Sequence, residues 1–261
     1  MSLNIVVCVK QVPDTALERT LKEGEGTLDR ASLDGLINEL DEYAIEEGLQ
    51  IASAHDGEVT ILSMGPDKAS ESIRKALSMG ADKAVHVLDD ALAGSDALAT
   101  SLALSEALKH IGFDLVITGS ESTDARTGVL AAMLAERLGV PQLTLASKVE
   151  ISGSDVTIRR VTDDGVETVT GSMPAVVSVV EKINEPRYPS FKGIMAAKKK
   201  PVQTLSLSDL SVDAGSVGLA SASTAVADFA KRPPRQAGEI VTDEGDGGSK
   251  AAAFLAGRKF I

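Results

Sequence analysis

The sequence is poor in the residues that most often mark metal and redox centres. It has one cysteine, three histidines, no tryptophan, two tyrosines and five phenylalanines. A single cysteine, Cys8, excludes an internal disulfide and a cysteine-rich metal site, and its apolar surroundings favour a small buried side chain. His55, His86 and His110 stand singly without a partner at metal-ligand spacing. We therefore expect no metal site, and structural or surface roles for the histidines.

Long apolar runs and an excess of positive charge are also absent. No run reaches the roughly 18 apolar residues that a membrane span requires. The first residues show neither a basic region nor a small-residue cleavage site, so the sequence predicts a cytoplasmic protein without membrane insertion. Lys and Arg number 26 against 38 Asp and Glu, which gives a net charge of −12. Such an acidic chain is not expected to bind nucleic acid, because phosphate contacts require an excess of cations.

Four well-known catalytic or phosphate-binding motifs are missing. The chain has no G-x-x-x-x-G-K-[ST] loop, no G-x-G-x-x-G fingerprint and no G-x-S-x-G nucleophile elbow. It also lacks the Ser-Gly-Gly-x-Asp-Ser loop of ATP pyrophosphatases. No acid and base residues stand out as a catalytic pair, so we expect a nucleotide-sized crevice in a protein that is not an enzyme on its own.

Alternating strand-like and helical segments dominate the first half of the chain. Apolar β-branched runs alternate with helical patterns, which cover 38–54, 67–80, 95–110 and 125–139. This alternation predicts an α/β fold, with an open parallel sheet and helices on both faces. Asn38 followed by Asp41 resembles a capping box at the start of the first helix, and Asp67 and Gly80 are expected to bound the second.

The pattern changes after residue 141. Four β-rich runs within 147–180 predict an antiparallel β-hairpin extension, with Asp164-Gly165 as the turn signal. Beyond residue 200 the chain is rich in Ser, Gly, Asp and Pro, which suits a long arm that is ordered only against another molecule. The last thirteen residues, 249–261, predict a short amphipathic C-terminal helix.

The predicted sheet places several polar segments at one edge. Ligands of open α/β sheets bind beyond the carboxyl ends of the strands, where the strand order reverses. The segments 8–10, 38–41, 63–66 and 118–128 are all expected there. The last is the richest, since its strand ends at Gly119 and a helix is predicted to begin near Asp124. Loop and helix amides, together with Arg126, could then bind an anion.

One basic segment stands out in this acidic chain. Residues 184–200, "NEPRYPSFKGIMAAKKK", carry five positive charges against one negative charge and hold Tyr188 and Phe191. On composition alone, a solvated surface loop is the more common interpretation.

Four stretches together are similar to a known family. "VCVKQVPDT", "IRKALSMGAD", "RRVTDDGVET" followed by "MPAVVSV", and the segment 184–200 resemble the β subunit of electron transfer flavoprotein. The resemblance runs from residue 3 to about 210. It implies an adenine-nucleotide-binding fold related to the universal stress proteins, a structural AMP, and a heterodimer whose α subunit holds most of the FAD. It also implies flavin-linked dehydrogenases, such as the acyl-CoA dehydrogenases of fatty acid oxidation, as donors, and a membrane quinone reductase as acceptor.

The resemblance assigns cofactor-binding residues position by position. Cys8 would lie against the adenine, Met64 would border it, and residues 123–132 would form the phosphate loop and helix start. "NELD" stands where the family has Asn-Pro-Phe-Cys or Asn-Pro-Phe-Asp, so an aromatic ring often found near the flavin is replaced by Leu40. The full predicted set is Cys8, Asn38, Glu39, Leu40, Asp41, Met64, Thr123, Asp124, Ala125, Arg126, Thr127, Gly128, Val129, Leu130, Ala131 and Ala132.

The same resemblance turns the basic segment into a recognition loop for the dehydrogenase. Phe191 would be the apolar anchor, and the lysines would steer acidic partner surfaces. The predicted partner-binding residues are Tyr188, Phe191, Ile194, Met195, Lys198, Lys199 and Lys200. The predicted organisation is a nucleotide-binding domain with its hairpin extension (1–183), the recognition loop (184–200), and an arm whose final helix packs on the α subunit (201–261).

Three alternatives remain at this point. Relatives that bind a second FAD in place of AMP and bifurcate electrons carry Gly-Asp-Thr-Ala-Gln-Val-Gly-Pro where this chain has "DARTGVLA", so AMP is favoured. A universal-stress-like nucleotide-binding regulator would not need the hairpins, the basic segment or the arm. A ligase that uses AMP or ATP is disfavoured by the missing pyrophosphatase loop.

Overall fold

The computed structural model describes residues 2–238 and 240–261; Met1 and Glu239 lie outside the described residues. The chain divides into two compact units, Met1–Ala227 and Asp228–Ile261. Nearly all of the regular secondary structure belongs to the first unit. In the described part of the chain, no helix combines the length and the apolar character needed to cross a membrane.

Eleven strands and six helices make up the described secondary structure. The strands are β1 (Asn4–Cys8), β2 (Gln11–Pro13), β3 (Gly35–Ile37), β4 (Glu58–Met64), β5 (Lys83–Val87), β6 (Leu115–Gly119), β7 (Gln142–Ser152), β8 (Asp155–Thr162), β9 (Gly165–Ser172), β10 (Ala175–Val179) and β11 (Val202–Leu205). The helices are α1 (Glu39–Ala54), α2 (Ser70–Met79), α3 (Ala97–Ile111), α4 (Leu130–Leu138), α5 (Phe191–Ala197) and α6 (Gly247–Gly257).

Nine of the strands form one open sheet in the order β11-β5-β4-β1-β6-β10-β7-β8-β9, while β2 and β3 pair separately. Neighbours from β11 to β7 run parallel, and β7, β8 and β9 are antiparallel. The structure thus confirms the predicted α/β class and its hairpin extension. The hairpin turn lies one residue earlier than predicted, at Asp163-Asp164, because Thr162 pairs with Gly165.

Buried residues cover both faces of the parallel strands, as expected for a sheet packed between two layers of helices. Ile5 and Val7 of β1 pack with α1 and α2 on one face, whereas Val6 and Cys8 pack with α3 and α4 on the other. Gly48 lets α1 approach β1 closely, since a Cβ atom there would lie 2.9 Å from a methyl group of Val7. The buried core therefore fixes α1 against the central strand.

Helix α4 begins later than the sequence predicts. It starts at Leu130 rather than near Asp124. Arg126 and Gly128 have φ angles of +52° and +64°, and a right-handed helix cannot pass through residues in the left-handed region. Residues 120–129 therefore form a loop, called here the nucleotide loop after the ligand that the sequence predicts for it.

Asn38 is the N-cap residue of α1 as predicted, but the two predicted side-chain caps, at Asn38 and Asp67, are not formed. The Asn38 side chain makes no capping bond to α1, because its amide is used elsewhere, as described below. Asp67 begins a short 3-10 turn, and α2 follows Ala69 without a side-chain cap. Gly80 ends α2 as predicted, with a φ of +146°.

Part of the predicted arm belongs to the first unit. Strand β11 pairs with β5, and five apolar side chains of this region are buried in the core: Leu205, Leu207, Leu210, Val212 and Val217. The expectation that everything after residue 200 needs another molecule for order was wrong for 202–217. Their apolar residues are irregularly spaced among Ser, Asp and Gly, so the pattern predicted no helix or strand there. The predicted C-terminal helix is confirmed as α6.

Candidate functional site

The carboxyl ends of β1 and β6 lie where the strand order predicts a ligand crevice, and this region is called here the crevice. From β1 the chain proceeds to β4 and β5 on one side, while β6 lies on the other side of β1. The order therefore reverses between β1 and β6, the position at which open α/β sheets bind ligands. Residues that follow β1, precede α1 and follow β6 meet here.

Asn38 joins the start of α1 to the nucleotide loop. Its Nδ2 donates to Asp41 Oδ1 at 2.9 Å and to the carbonyl of Glu121 at 3.0 Å, and its Oδ1 accepts from the backbone N–H of Thr123 at 3.0 Å. The side chain is buried, and both amide hydrogens are used. Asn38 therefore positions the crevice wall, and its side chain cannot also donate to a ligand without losing a bond.

Asp41 is a buried carboxyl group beside Asn38. Its Oδ2 accepts from the backbone N–H of Lys10 at 2.8 Å. Burial raises the pKa of Asp41 to about 7, against the opposite effect of the hydrogen bonds from Asn38 and Lys10. The end of β6 packs tightly here, since a Cβ atom on Gly119 would lie 2.7 Å from Asp41 Oδ1. Asp41 thus titrates near neutral pH within a rigid wall.

Asp124 lies in the nucleotide loop between two cations. Its side chain has no exposed surface and forms ion pairs with Lys10, at 2.9 Å, and with Arg30. Burial alone would raise the pKa of Asp124, but the charges of Lys10 and Arg30 hold it well below its usual range. Burial also lowers the pKa of Lys10, although Asp124 opposes that shift.

The loop between β2 and β3, residues 14–34, supplies contacts that sequence reasoning missed. Arg30 reaches Asp124, and Arg19 Nη1 donates to the carbonyl of Thr123 at 2.7 Å. Arg19 and Arg30 do not belong to any recognisable motif. They lie about a hundred residues before the nucleotide loop in the sequence, so no local pattern could connect them with it. The charge of the loop gave no signal either, since residues 14–34 hold three basic and six acidic side chains.

The outer part of the nucleotide loop is open. Residues 125–129 are exposed, and no atom lies within 4 Å of the position that a Cβ on Gly128 would occupy. The first bond of α4 is donated by Met133 to the carbonyl of Val129, so the N–H groups of the preceding first turn point away from the helix. No side chain among the described residues caps this end.

Two buried hydroxyl groups near the crevice have no hydrogen-bond partner among the residues that the structure describes, Ser63 Oγ and Thr123 Oγ1. A buried unpaired hydroxyl is costly unless something else satisfies it. Together with the open first turn of α4 and Arg126, these groups fit a ligand that has both a polar ring and an anionic end. Within the described ranges, no cluster of three His, Cys, Asp or Glu side chains could hold a metal ion.

The two residues predicted to border the adenine lie on the face of the sheet that α3 and α4 cover, the same face as the open first turn of α4. Cys8 ends β1 and Met64 ends β4, and both pack in the core cluster of α3 and α4. Burial raises the pKa of the Cys8 thiol to about 12, so it is a packing residue and not a nucleophile. At the start of α1, Glu39 is exposed and Leu40 is half-buried. The adenine contacts of these residues stay predictions.

The basic segment 184–200, called here the docking segment, presents aromatic side chains to solvent. Tyr188 is 95% exposed and Phe191 is 81% exposed, while Ile194 and Met195 of α5 are about half exposed. Lys198 and Lys199 are also exposed. An exposed apolar cluster with a cationic rim is typical of a protein-binding surface.

Lys200 occupies a different environment from its neighbours. Its Nζ donates to the backbone carbonyls of Leu77, Gly80 and Ala81 at 3.0, 3.1 and 2.5 Å. All three ammonium hydrogens are therefore used at the C-terminal end of α2. The prediction that Lys200 steers a partner does not agree with this position, since a steering cation needs to face solvent.

Comparisons with known proteins agree with this geometry. A family model described as electron transfer flavoprotein domain matches residues 25–210. The chain is 53% identical to electron transfer flavoprotein subunit beta of Mycobacterium tuberculosis over 264 aligned residues, which cover 99% of both chains. The chain belongs to the electron transfer flavoprotein family. The subunit beta proteins of Thermoanaerobacterium thermosaccharolyticum and Bacillus subtilis are 39% and 38% identical, and cover 92% and 81% of this chain.

Membership of the electron transfer flavoprotein family confirms the resemblance seen in the sequence. The relatives are beta subunits, and that name implies for them a partner alpha subunit and a flavin. The match includes the nucleotide loop, the hairpin extension and the docking segment, since all three lie within residues 25–210.

Proposed function

We propose that this chain is the β subunit of a heterodimeric electron transfer flavoprotein. In this role it binds AMP as a structural nucleotide and docks flavin-linked dehydrogenases, such as acyl-CoA dehydrogenases. Electrons pass from the dehydrogenase through the FAD, which the α subunit mainly holds, to a membrane quinone reductase. Two features of the first unit carry the proposal. One is the open first turn of α4 beside Arg126, which could bind an anion, and the other is the docking segment with its exposed aromatic side chains.

The crevice supports AMP as its occupant. The first-turn amides of α4 and Arg126 would hold the phosphate, because a helix N-terminus carries about half a positive charge. Thr123 Oγ1 is an unpaired hydroxyl group within the nucleotide loop, and AMP would supply it with a hydrogen-bond partner. Asn38 and Asp41 would support the nucleotide through the backbone that they position. AMP supplies no redox chemistry, so its contribution would be to fix the nucleotide loop.

The docking segment supports a transient interface. Phe191 would insert into an apolar pocket of the dehydrogenase, with Tyr188, Ile194 and Met195 around it. Lys198 and Lys199 would raise the association rate with an acidic partner surface. A few exposed anchors with a charged rim suit a carrier that must bind and leave several enzymes.

The second unit supports assembly with the α subunit. Four apolar residues on and after α6 are exposed within that unit: Phe254, Leu255, Phe260 and Ile261. A short helix with such a surface is marginal in water by itself. We expect α6 to pack on the α subunit, and residues 228–246 to tether it.

The chain is proposed to lack catalysis of its own. FAD supplies the chemistry when bound, since it accepts and releases electrons, and this chain's residues position the nucleotide and the partner. A nucleotide-binding regulator of universal-stress type would not need the docking segment, and it is the less favoured alternative.

Nucleotide content of the purified heterodimer tests the proposal. We expect co-expression with an α subunit to give a yellow heterodimer from which denaturation releases one FAD and one AMP. Two FAD and no AMP would contradict the AMP assignment in favour of a bifurcating subunit. A stable, colourless chain that never acquires flavin with a partner would contradict the electron-transfer role altogether.

A further inference from the structure

The docking segment is held against α1 and α2 by side chains other than its exposed aromatic residues. Arg187 forms a two-pronged ion pair with Glu46 of α1, through Nε–Oε2 at 2.7 Å and Nη2–Oε1 at 2.9 Å. The Glu46 side chain is 6% exposed, whereas Arg187 is 47% exposed. The geometry of the pair fixes the backbone on the N-terminal side of Phe191, because the Arg187 N–H also donates to Glu46.

A second fastening lies on the other side of Phe191, at the end of α2. Lys200 supplies its ammonium group to three carbonyls there, which a helix end otherwise leaves unsatisfied. In the opposite direction, Arg74 Nη1 donates to the carbonyls of Ala197 and Lys200 at 2.7 and 3.1 Å. The two side chains thus cross-link α2 and the end of α5 in both directions.

Helix α5 packs very closely against the C-terminal end of α2, and this close contact fixes the position of α5. A Cβ atom on Gly193 would lie 2.5 Å from the backbone carbonyl oxygen of Ser78, so α5 rests on the end of α2 with backbone against backbone. Ser190 caps α5 by accepting from the Gly193 N–H at 3.0 Å. Phe191 is the first residue of this helix, and its direction follows from where α5 lies.

We propose that Glu46, Arg74 and Lys200 are positioning residues, which hold the docking segment in its binding conformation before a dehydrogenase arrives. The proposal rests on the docking role proposed above. A free segment would have to be ordered during binding, and each immobilised side chain and backbone residue would weaken the complex. Rigid fastening removes that cost and leaves Tyr188 and Phe191 free for the partner. Lys200 then acts through structure, whereas Lys199 acts through long-range charge.

Lys200→Met and Lys199→Met form a matched pair for the test. Both remove one positive charge from adjacent positions, so a steering role alone predicts equal effects. In the FAD-containing heterodimer, with an acyl-CoA dehydrogenase as reductant, we expect K200M to raise the KM for the heterodimer about tenfold with kcat unchanged. This effect should persist at high ionic strength. K199M should raise the KM about twofold or less, and salt should abolish its effect.

Amide hydrogen exchange gives a readout that a steering charge would not change. We expect K200M to speed exchange at 191–197 and K199M to leave it unaltered. Glu46→Gln is the second variant, because it keeps the side-chain shape and leaves the half-exposed Arg187 hydrated. It should speed exchange near Arg187 and raise the KM while FAD content stays the same.

Two outcomes separate failure of this inference from failure of the proposed function. If K200M and K199M have equal, salt-sensitive effects and equal exchange, the positioning role is overturned while docking stands, provided that Phe191→Ala raises the KM. If Phe191→Ala leaves the KM unchanged, the docking role itself is wrong.

Discussion

The nucleotide crevice and the docking segment use charge in opposite ways. In the crevice, the Asp124 carboxylate is enclosed by Lys10 and Arg30, so the charges neutralise one another and fix a loop. In the docking segment, Lys198 and Lys199 face solvent beside exposed aromatic rings. The first arrangement is suited to holding a resident ligand, and the second to meeting a partner that must leave again.

Helix α1 contributes to both regions. Its first turn carries Asp41 and follows Asn38 at the crevice, and its middle carries Glu46 and Glu47, which bind Arg187 and Asn184 of the docking segment. Gly48 brings the same helix onto β1. One rigid element therefore sets the position of the nucleotide loop and of the docking anchors relative to the sheet.

The largest effect is expected from breaking the enclosed charge cluster. Asp124→Asn leaves Lys10 and Arg30, whose side chains are 38% and 42% exposed, without the enclosed carboxylate between them. Because both cations keep part of their hydration, we expect a loss of about 2–3 kcal/mol, below the roughly 3–5 kcal/mol that breaking a fully buried pair costs. Denaturant unfolding of the full chain measures this loss. The control is Glu150→Gln, which breaks the exposed Lys148–Glu150 pair and should leave stability unchanged. Equal stabilities of the two variants would show that the ion pairs of Asp124 contribute no more to the free energy of unfolding than an exposed surface pair does.

Truncating the exposed anchor should produce the next largest effect, and on binding rather than on stability. Phe191→Ala removes a ring that is 81% exposed in this chain, so the fold loses little. Hot-spot truncation costs about 2 kcal/mol in the complex, which corresponds to a KM for the heterodimer raised by roughly thirtyfold. Steady-state reduction by an acyl-CoA dehydrogenase measures it, with FAD content and unfolding as controls. If Phe191→Ala instead unfolded more easily and accepted electrons at the normal rate, Phe191 would have a structural role and no binding role.

The sheet was predictable because its information is local. Runs such as "EVTILSM" and the hydrophobic helix patterns each specify one element, and the strand-helix alternation leaves few topologies. The convergence of 38–41 with 118–128 followed from the rule for parallel sheets. What the sequence could not specify were long-range pairings that depend on side-chain reach. Arg30 with Asp124 and Lys200 with the end of α2 belong to that class.

The start of α4 shows a second limit. Residues 127–129 are Thr, Gly and Val, which are weak helix formers, and the predicted helix extended to residue 125 only because the apolar pattern of 130–138 was continued backwards. The left-handed conformation of Arg126 is imposed by the surrounding loop, in which its N–H donates to the carbonyl of Ser122. A local turn with weak helix formers thus replaces the predicted first helical turn, at the site proposed to bind a phosphate.

The smallest predicted effect concerns Asp41 and appears as a pH dependence of stability. Because its pKa is raised to about 7 in the folded chain, from 3.8 as the ordinary value, the folded state keeps a proton that the unfolded state has released. The free energy of unfolding should therefore fall as pH rises, by on the order of 1 kcal/mol between pH 6 and 8. Asp124 adds nothing in this window, since its carboxylate is ionised throughout.

Asp41→Asn isolates that contribution. The amide cannot ionise, but its NH₂ group meets the N–H donors of Lys10 or Asn38, so the variant should be less stable than the parent at pH 6. The deficit should shrink towards pH 8, where the parent must hold a buried charge. Urea unfolding of both chains at three pH values measures the difference, and Phe191→Ala serves as the control with an unaltered pH profile. If the difference in free energy of unfolding between the two chains stayed constant from pH 6 to 8, Asp41 would be ionised over the whole range. The Asp41 carboxylate would then stabilise the fold through its charge, as the Asp124 carboxylate does.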